Sequence, residues 1–373
     1  MAYLRPTPTR VISAAIASLA VAAACIAASA RRSEAQTATR SDSTGTIVGI
    51  VVMKDGGLPL AYSVASAPAL GKERFSTDNG VFTFSELPPG PLQLRVRHLG
   101  YTPVDLSVTV HAGRVDTVNV QLVHIAVRLS TVQVRALPEC KNPGPPKASA
   151  DSAFATVFDQ LHQNADQYRL LADVYPFVYT VERMMSVTQV DGNARLESID
   201  TIKLTSTRVW KYQPGAVVSR ESQPRGGPMT MSIPTLVHFA DRVFLENHCF
   251  YNGGLEVVDG SELLRIDFNA AARIKDPDVD GAMYLDPNSF QIRRSVLRLS
   301  RIPKDIKGLE RIEAVTNFGE VLPSIPLIAS IVSVNEFQAN PKQPKSLASA
   351  TEQQRLTRVE FLKGMPGDDV KKP

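Results

Sequence analysis

Short runs of β-branched and aromatic residues, separated by turn sequences, occupy the chain from residue 46 to residue 122. Within Leu92–His98 the apolar residues Leu92, Leu94 and Val96 alternate with polar ones, which is typical of a strand with one buried face. Turns such as Asp78-Asn79-Gly80 divide the runs, so the pattern predicts an all-β sandwich over residues 44–135. The predicted strands are Ile47–Val52, Leu60–Ala67, Lys72–Thr77, Val81–Phe84, Leu92–His98, Val104–Val110 and Val115–Leu122.

A helical period replaces the strand pattern between Asp151 and Asp173. The apolar residues there recur at spacings of three and four, and Ser149 or Asp151 can cap the amino-terminal end. We expect this apolar stripe to pack against a core, because most amphipathic helices cover one. The stripe consists of Phe154, Val157, Phe158, Leu161, Ala165, Tyr168 and Leu171.

After Pro176 the apolar period returns to two, and short turns such as Asp191-Gly192-Asn193, Asn252-Gly253-Gly254 and Asp286-Pro287-Asn288 join the runs. Short joins favour antiparallel neighbours, so we expect a curved antiparallel sheet, or half-barrel, wrapped over the helix. The predicted strands are Phe177–Val190, Arg195–Tyr212, Val217–Arg220, Arg242–Phe250, Leu255–Val258, Glu262–Asn269, Gly281–Leu285, Gln291–Ser300, Leu309–Phe318, Leu327–Phe337 and Thr357–Leu362.

The predicted fold class is therefore mainly β, with an Ig-like or prealbumin-like sandwich followed by an α+β half-barrel domain. Four prolines within residues 136–149 indicate a semi-rigid linker between the two domains. The half-barrel domain is expected to span residues 150–363, and residues 364–373 are expected to form a disordered tail.

The amino-terminal 35 residues have the pattern of a secretory signal peptide. Arg5 and Arg10 precede an uncharged, alanine-rich stretch, and Ser33-Glu34-Ala35 provides a small-residue exit for cleavage. A retained membrane anchor is the alternative, and Cys25 leaves open a lipidated form. We expect an exported protein that is periplasmic, associated with the outer membrane or extracellular, with no membrane span in the mature chain.

The net charge of the chain depends strongly on the predicted signal peptide. Loss of residues 1–35 takes away four arginines and one glutamate, so the net charge falls from +4 to +1. A nucleic-acid-binding protein needs a basic surface, and the mature chain has no basic run that would supply one. Attraction to an anionic membrane surface is equally unsupported.

Two cysteines, Cys140 and Cys249, remain in the mature chain. An exported protein meets an oxidising compartment, and an even number of cysteines favours a structural disulfide between them. Two buried free thiols are the alternative.

Four segments of the predicted sandwich resemble a known family. They are Gly49–Leu60, T-D-x-G-x-F-x-F at Thr77–Phe84, L-P-P-G at Leu87–Gly90 and L-G-Y at Leu99–Tyr101. Together they resemble the carboxypeptidase regulatory-like domain, a prealbumin-like sandwich that accompanies zinc carboxypeptidases or precedes outer-membrane receptor barrels. The resemblance implies a domain of the bacterial cell envelope without catalytic residues of its own. Residues 279–299 more weakly resemble a hairpin of lipoprotein-carrier-like half-barrels, which enclose a helix and an apolar cavity.

No histidine of the chain has a glutamate three residues later. A zinc carboxypeptidase needs a His with a Glu three residues later, and His238 with Asp241 is the nearest approach. The acidic segment Asp276–Gly281 begins like a calcium-binding loop, but its twelfth position is Pro287, so we interpret it as an acidic turn. His248 and Cys249 are adjacent and would point to opposite faces of a strand. We therefore predict no catalytic, cofactor-binding or metal-binding residue.

These observations favour a non-catalytic binding or scaffolding protein of the envelope, which holds an apolar ligand or a partner segment in its second domain. The part of the sheet that one helix leaves uncovered would form the cavity or groove. An unrecognised or degenerate hydrolase associated with peptidases is the alternative. A relative of outer-membrane receptors is a third reading, disfavoured because the strands carry charges on both faces.

Overall fold

The computed structural model describes residues 44–127, 137–207, 210–220, 229–303 and 306–368. The predicted signal peptide, its candidate lipidation site Cys25 and the last five residues of the predicted tail lie outside the described residues. Within the described part of the chain, no helix combines the length and hydropathy needed to span a bilayer.

The predicted sandwich is confirmed, and it has two four-stranded sheets. Strands β4, β1, β8 and β6 form one sheet, in which β1 runs parallel to β8, and strands β3, β2, β5 and β7 form the other. The two sheets enclose one apolar core. The strands are β1 (Gly45–Met53), β2 (Val64–Ala67), β3 (Lys72–Phe75), β4 (Val81–Leu87), β5 (Gly90–Arg97), β6 (Tyr101–Thr102), β7 (Val104–Val110) and β8 (Val115–His124).

One glycine of the sandwich is required by packing. Phe82 and Phe84 are fully buried and their ring centroids lie 5.8 Å apart. The Phe82 ring lies directly over Gly49 of β1, and a Cβ atom at that position would overlap it. Gly49 therefore lets an aromatic core residue pack against the neighbouring backbone.

The helix α1 (Ser152–Val174) is capped by Asp151, whose carboxylate accepts a hydrogen bond from the Phe154 amide at 2.9 Å. It ends at Val174 and is followed by the capping residue Tyr175 and by Pro176, which cannot continue a helix without losing a hydrogen bond. The predicted apolar stripe is buried, except for the half-buried Tyr168.

The second sheet has nine antiparallel strands in the order β10-β9-β19-β18-β17-β16-β15-β14-β13. Neighbours are joined by hairpins, and the last strand returns to pair with β9. Its strands are β9 (Phe177–Gln189), β10 (Ala194–Thr205), β13 (His248–Val258), β14 (Ser261–Ala270), β15 (Val279–Leu285), β16 (Ile292–Leu299), β17 (Leu309–Leu322), β18 (Ile325–Phe337) and β19 (Leu347–Phe361), and a separate ribbon pairs β11 (Val218–Arg220) with β12 (Met229–Met231).

Several predicted features of this sheet are wrong. The predicted strand Arg195–Tyr212 ends at Thr205, and the predicted strand Val217–Arg220 belongs to the separate ribbon. The predicted strand Arg242–Phe250 begins instead with a helical turn, α2 (Arg242–Leu245), because Asp241 caps the amides of Val243 and Phe244. The predicted turn at Asn252-Gly253-Gly254 is a bulge inside β13, where the pairing register with β14 shifts. Glycines next to an asparagine suit a turn as well as a β-bulge, so the residue types at this position do not distinguish the two structures.

Helix α1 contacts both β structures. Its first half packs on the long sheet, where the Phe158 and Phe250 ring centroids lie 4.7 Å apart. Its last turns join a second core that contains Leu171 together with Phe75 of the sandwich and Phe177 of β9. The helix is therefore buried between the sandwich and the sheet. At the end of the described chain, Gly367 lies beside Thr77 of the sandwich, in a turn closed by the Asp368 carboxylate.

Candidate functional site

The disulfide between Cys140 and Cys249 is present, as predicted, with a Cα–Cα distance of 5.5 Å. It fixes the proline-rich segment along the edge of the long sheet. The Gly144 amide donates to the His248 carbonyl at 2.9 Å, and the Ala272 amide donates to the Cys140 carbonyl at 2.8 Å. Residues 137–144 thus cover part of the β13 edge, which would otherwise expose unpaired backbone groups.

The pair His238 and Asp241 has a structural role. His238 is 2% exposed, its Nδ1 atom accepts from the Thr235 amide at 2.9 Å, and its Nε2 atom lies 3.0 Å from the Trp210 carbonyl. Because Nδ1 is an acceptor, Nε2 carries the proton and the ring is neutral. Asp241 caps α2 instead of binding a metal.

Burial lowers the pKa of His238 from its ordinary value, because the charged ring would lose its hydration. The unfolded chain then binds more protons than the folded chain below about pH 6.5, so stability falls as the pH drops through that value. We expect the loss to reach about 1 kcal/mol per pH unit from this residue. Urea unfolding at neutral and mildly acidic pH should show a smaller pH effect in His238→Gln than in the parent protein. An unchanged pH effect would contradict the assignment.

The acidic segment Asp276–Gly281 is a structural junction. Asp278 is fully buried, and its carboxylate accepts hydrogen bonds from the Tyr212 hydroxyl at 2.7 Å and from the Gly215 and Val279 amides at 2.8 Å. The carboxylate therefore pins the segment around Tyr212 onto β15. Burial raises the pKa of Tyr212, as does the nearby carboxylate, so the hydroxyl remains a donor.

His248, next to the disulfide, is also buried. Its two ring nitrogens lie 2.8 Å from the Phe244 carbonyl and 3.1 Å from the Val279 carbonyl. The ring stacks on Phe244 with a centroid distance of 4.0 Å. These contacts anchor α2 on the sheet. Because Cys249 is bonded to Cys140, His248 and Cys249 do not form a nucleophile pair. In the described ranges no group of three His, Cys, Asp or Glu side chains is arranged to hold a metal ion.

An apolar cavity of about 190 Å³ lies between α1 and the end of the long sheet nearest β10. Cross-strand register brings its lining together. Val181 of β9 pairs with Leu356 of β19, and Gln354 of β19 pairs with Ile331 of β18. The cavity is lined by Tyr168, Tyr179, Val181, Leu204, Thr235, Leu327, Ile328, Ala329, Ser330, Ile331, Gln354 and Leu356.

Two β-bulges shape this cavity. Asn317 pairs with Ser330 and Phe318 pairs with Ile328, so Ala329 has no partner on β17. Thr357 is likewise skipped where β19 pairs with β9. A bulge re-aims the side chains beside it, which explains why five consecutive residues, 327 to 331, line one cavity.

The uncharged lining of the cavity sets its chemistry. Burial raises the pKa of Tyr168 and of Tyr179, so both phenols are uncharged at neutral pH. None of the residues that line the cavity is an aspartate, glutamate, lysine, arginine or histidine. A charged ligand head would lose its hydration there without gaining an opposite charge.

Sequence reasoning missed a row of buried amide side chains on α1. Gln160, Gln163, Asn164 and Gln167 are at most 6% exposed. Gln160 accepts from the Gly100 amide of the sandwich, whereas Asn164 bonds the backbone of Phe290. Their spacing of three and four residues is helical, so the signal was available in the sequence. A pattern of apolar residues, from which the buried face of the helix was predicted, does not include amide side chains.

Comparison with known proteins supports the sandwich assignment. Residues 46–123 match the family model of the carboxypeptidase regulatory-like domain, which confirms the resemblance seen in the sequence. No curated protein matches the chain.

Several solved structures are similar to the chain at low identity. The minor pilin of Streptococcus agalactiae is 19% identical over 25% of this chain and 49% of that chain, with a TM-score of 0.20, so the chain spans about half the pilin's length. A candidate outer membrane lipoprotein-sorting protein domain from Vibrio parahaemolyticus is 10% identical over 56% of this chain and 94% of that chain, at a TM-score of 0.30. A DUF1329 family protein from Desulfovibrio piger is 10% identical over 56% and 93%, also at 0.30. Likenesses at these TM-scores do not bear on function.

Proposed function

We propose that the chain is an exported, non-catalytic binding protein of the cell envelope, whose second domain holds an apolar ligand segment. The apolar cavity beside Tyr168 and Val181 carries this proposal. Engineered cavities of roughly 150 Å³ with apolar linings bind benzene, so a space of this size suits an aromatic ring or a short alkyl segment. Most pockets for whole small molecules are larger, which favours a ligand that enters only in part.

We also propose that the chain is exported and is divided into a leader, a sandwich, a linker and a half-barrel. The disulfide supports export, because such bonds persist in oxidising compartments. The leader at residues 1–35, the sandwich at 44–135, the linker at 136–149 and the half-barrel at 150–363 remain our proposed organisation of the chain. The regulatory-like sandwich supports an envelope role that is accessory and not catalytic.

The lining of the cavity refines the ligand class. Its polar groups are uncharged, and they include the side chains of Thr235, Ser330 and Gln354. An uncharged polar end could be accommodated there, whereas a carboxylate would lose its hydration without gaining an opposite charge. We therefore infer that the ligand carries a neutral head on its apolar segment.

Fluorescence titration with N-phenylnaphthylamine tests the cavity. We expect saturable binding to the purified protein, at least tenfold weaker in Ile331→Trp because an indole ring fills much of a cavity of this size. The matched control is Ile199→Trp, which changes a residue that is 61% exposed and does not line the cavity. Decanol should displace the dye at lower concentration than decanoate. Absence of saturable binding, or equal loss in both variants, would refute the proposal.

A further inference from the structure

The two edges of the nine-stranded sheet are covered differently. At one edge, residues 137–144 lie along β13 and are fixed there by the disulfide. At the other edge, β10 pairs with β9 on one side, and no strand in the described ranges pairs with its other side. β10 is 12 residues long and contains no proline. A long edge strand of this kind is a template for pairing with another strand.

The backbone groups on the open side of β10 can be identified from its pairing. The Ser206 amide, directly after the end of the strand, donates to the Phe177 carbonyl of β9 at 2.9 Å. Hydrogen-bonding directions alternate along an antiparallel strand, and the pairing of residues 198–205 with β9 has no register shift. The residues whose amides and carbonyls therefore point away from β9 are Ile199, Thr201 and Lys203.

Two exposed apolar side chains of β10 share one face of the sheet. A bulge at Glu197 shifts the pairing register, so Leu196 and Ile199 lie opposite β9 residues that are two positions apart. Leu196 is 52% exposed and Ile199 is 61% exposed. A strand added beside β10 would remove part of this apolar surface from water.

Self-pairing about a two-fold axis makes β10 antiparallel to itself, and its residues disfavour several registers. An axis at Asp200 would place the two Asp200 carboxylates opposite each other, and an axis at Lys203 would place two ammonium groups opposite each other. Like charges in these positions are destabilising. An axis at Ile199 would leave only residues 198–200 in regular pairing, because the bulge at Glu197 of each copy follows.

An axis at Thr201 avoids these conflicts. It pairs the two Thr201 residues, and it lays the Lys203 stem of one copy over Ile199 of the other. Threonine pairs are favourable in antiparallel strands, and a lysine stem can cover apolar surface while its ammonium group stays in water. An axis at Ile202 would instead place Ile199 opposite the short side chain of Thr205 and leave more of it exposed.

We propose that β10 is a self-association surface, at which two copies of the chain pair across a two-fold axis at Thr201. The outward-facing residues Ile199, Thr201 and Lys203 of each copy then donate and accept backbone hydrogen bonds across the axis. The pairing joins the two nine-stranded sheets into one continuous sheet. Because the contact is limited to one strand from each copy, the dimer dissociates on dilution.

Sedimentation velocity of the purified protein over a dilution series tests the association. We expect a dimer at high concentration, with slower hydrogen exchange in residues 194–205 than in the diluted protein. Thr201→Pro removes an outward-facing amide but no bond to β9, so it should weaken the dimer by about tenfold. Thr201→Val keeps the amide and is the matched control. A protein that stays monomeric leaves the edge to a different chain and overturns the proposal, as does a dimer that Thr201→Pro leaves intact.

Two substitutions at Ile199 test the register without altering the backbone. Ile199 is largely exposed, so neither replacement removes a core contact. Ile199→Glu places a carboxylate opposite Lys203 of the second copy, whereas Ile199→Lys places a second ammonium group there. We expect the first to strengthen the dimer and the second to weaken it, each by about fivefold at low salt. Equal effects of the two variants would contradict an axis at Thr201.

Discussion

Replacement of both Cys140 and Cys249 by alanine is expected to lower the free energy of unfolding by about 4–5 kcal/mol. The disulfide closes a loop with a sequence separation of 109 residues, and cross-links over long loops restrict the unfolded chain most in the chain-entropy model. Urea unfolding under non-reducing conditions, followed by circular dichroism, would measure the change.

Local contacts add to the effect of this disulfide. The Pro138 carbonyl accepts from the Asn269 side chain at 2.9 Å, and the Cys140 carbonyl accepts from the Ala272 amide at 2.8 Å. Both bonds depend on the segment staying at the edge of the sheet. Addition of a reductant should destabilise the parent protein by a similar amount and leave the double variant unchanged. A difference below about 1 kcal/mol between parent and variant would show that the cross-link contributes little.

Local pattern was sufficient to predict most strands and the helix. The sandwich strands alternate in polarity and are separated by turn residues, so their secondary structure follows from short-range chemistry. Asp151 was identifiable as a helix cap for the same reason. The failures occurred where one local sequence suits two structures. The glycines at Asn252–Gly254 fit a bulge as well as a turn, and the apolar residues at Arg242–Leu245 fit a strand as well as a capped helical turn.

The candidate sites could be predicted from the sequence only in general terms. An uncovered apolar region of the sheet was predicted in general terms, but its position depends on the bulges at Ala329 and Thr357. Neither residue has a local signature of a bulge. The contact between Arg97 of the sandwich and Asp166 of α1, 69 residues apart in the chain, forms only through packing of the sandwich on the helix. Pairings of this kind are set by tertiary structure, which a periodicity argument does not contain.

The burial of Asp278 also could not be predicted from local sequence, and its replacement is expected to destabilise the protein strongly. The sequence indicated an acidic turn, whereas the structure buries this carboxylate completely. Its partners Tyr212 and Gly215 are 66 and 63 residues away along the chain. We expect Asp278→Ala to lower the free energy of unfolding by about 4 kcal/mol, because it leaves two buried donors and one partly buried donor without an acceptor.

Two further substitutions test whether the hydrogen bonds of Asp278 account for its effect on stability. Tyr212→Phe removes one donor and leaves the carboxylate bound to the Gly215 and Val279 amides, so the expected loss is about 1–2 kcal/mol. Asp276→Ala is the matched control, since it removes an exposed carboxylate from the same segment and should change stability by less than about 0.5 kcal/mol. Urea unfolding of the three variants would give the order directly. If Asp278→Ala were no more destabilising than Asp276→Ala, the carboxylate would not be what fixes the segment around Tyr212 to the sheet.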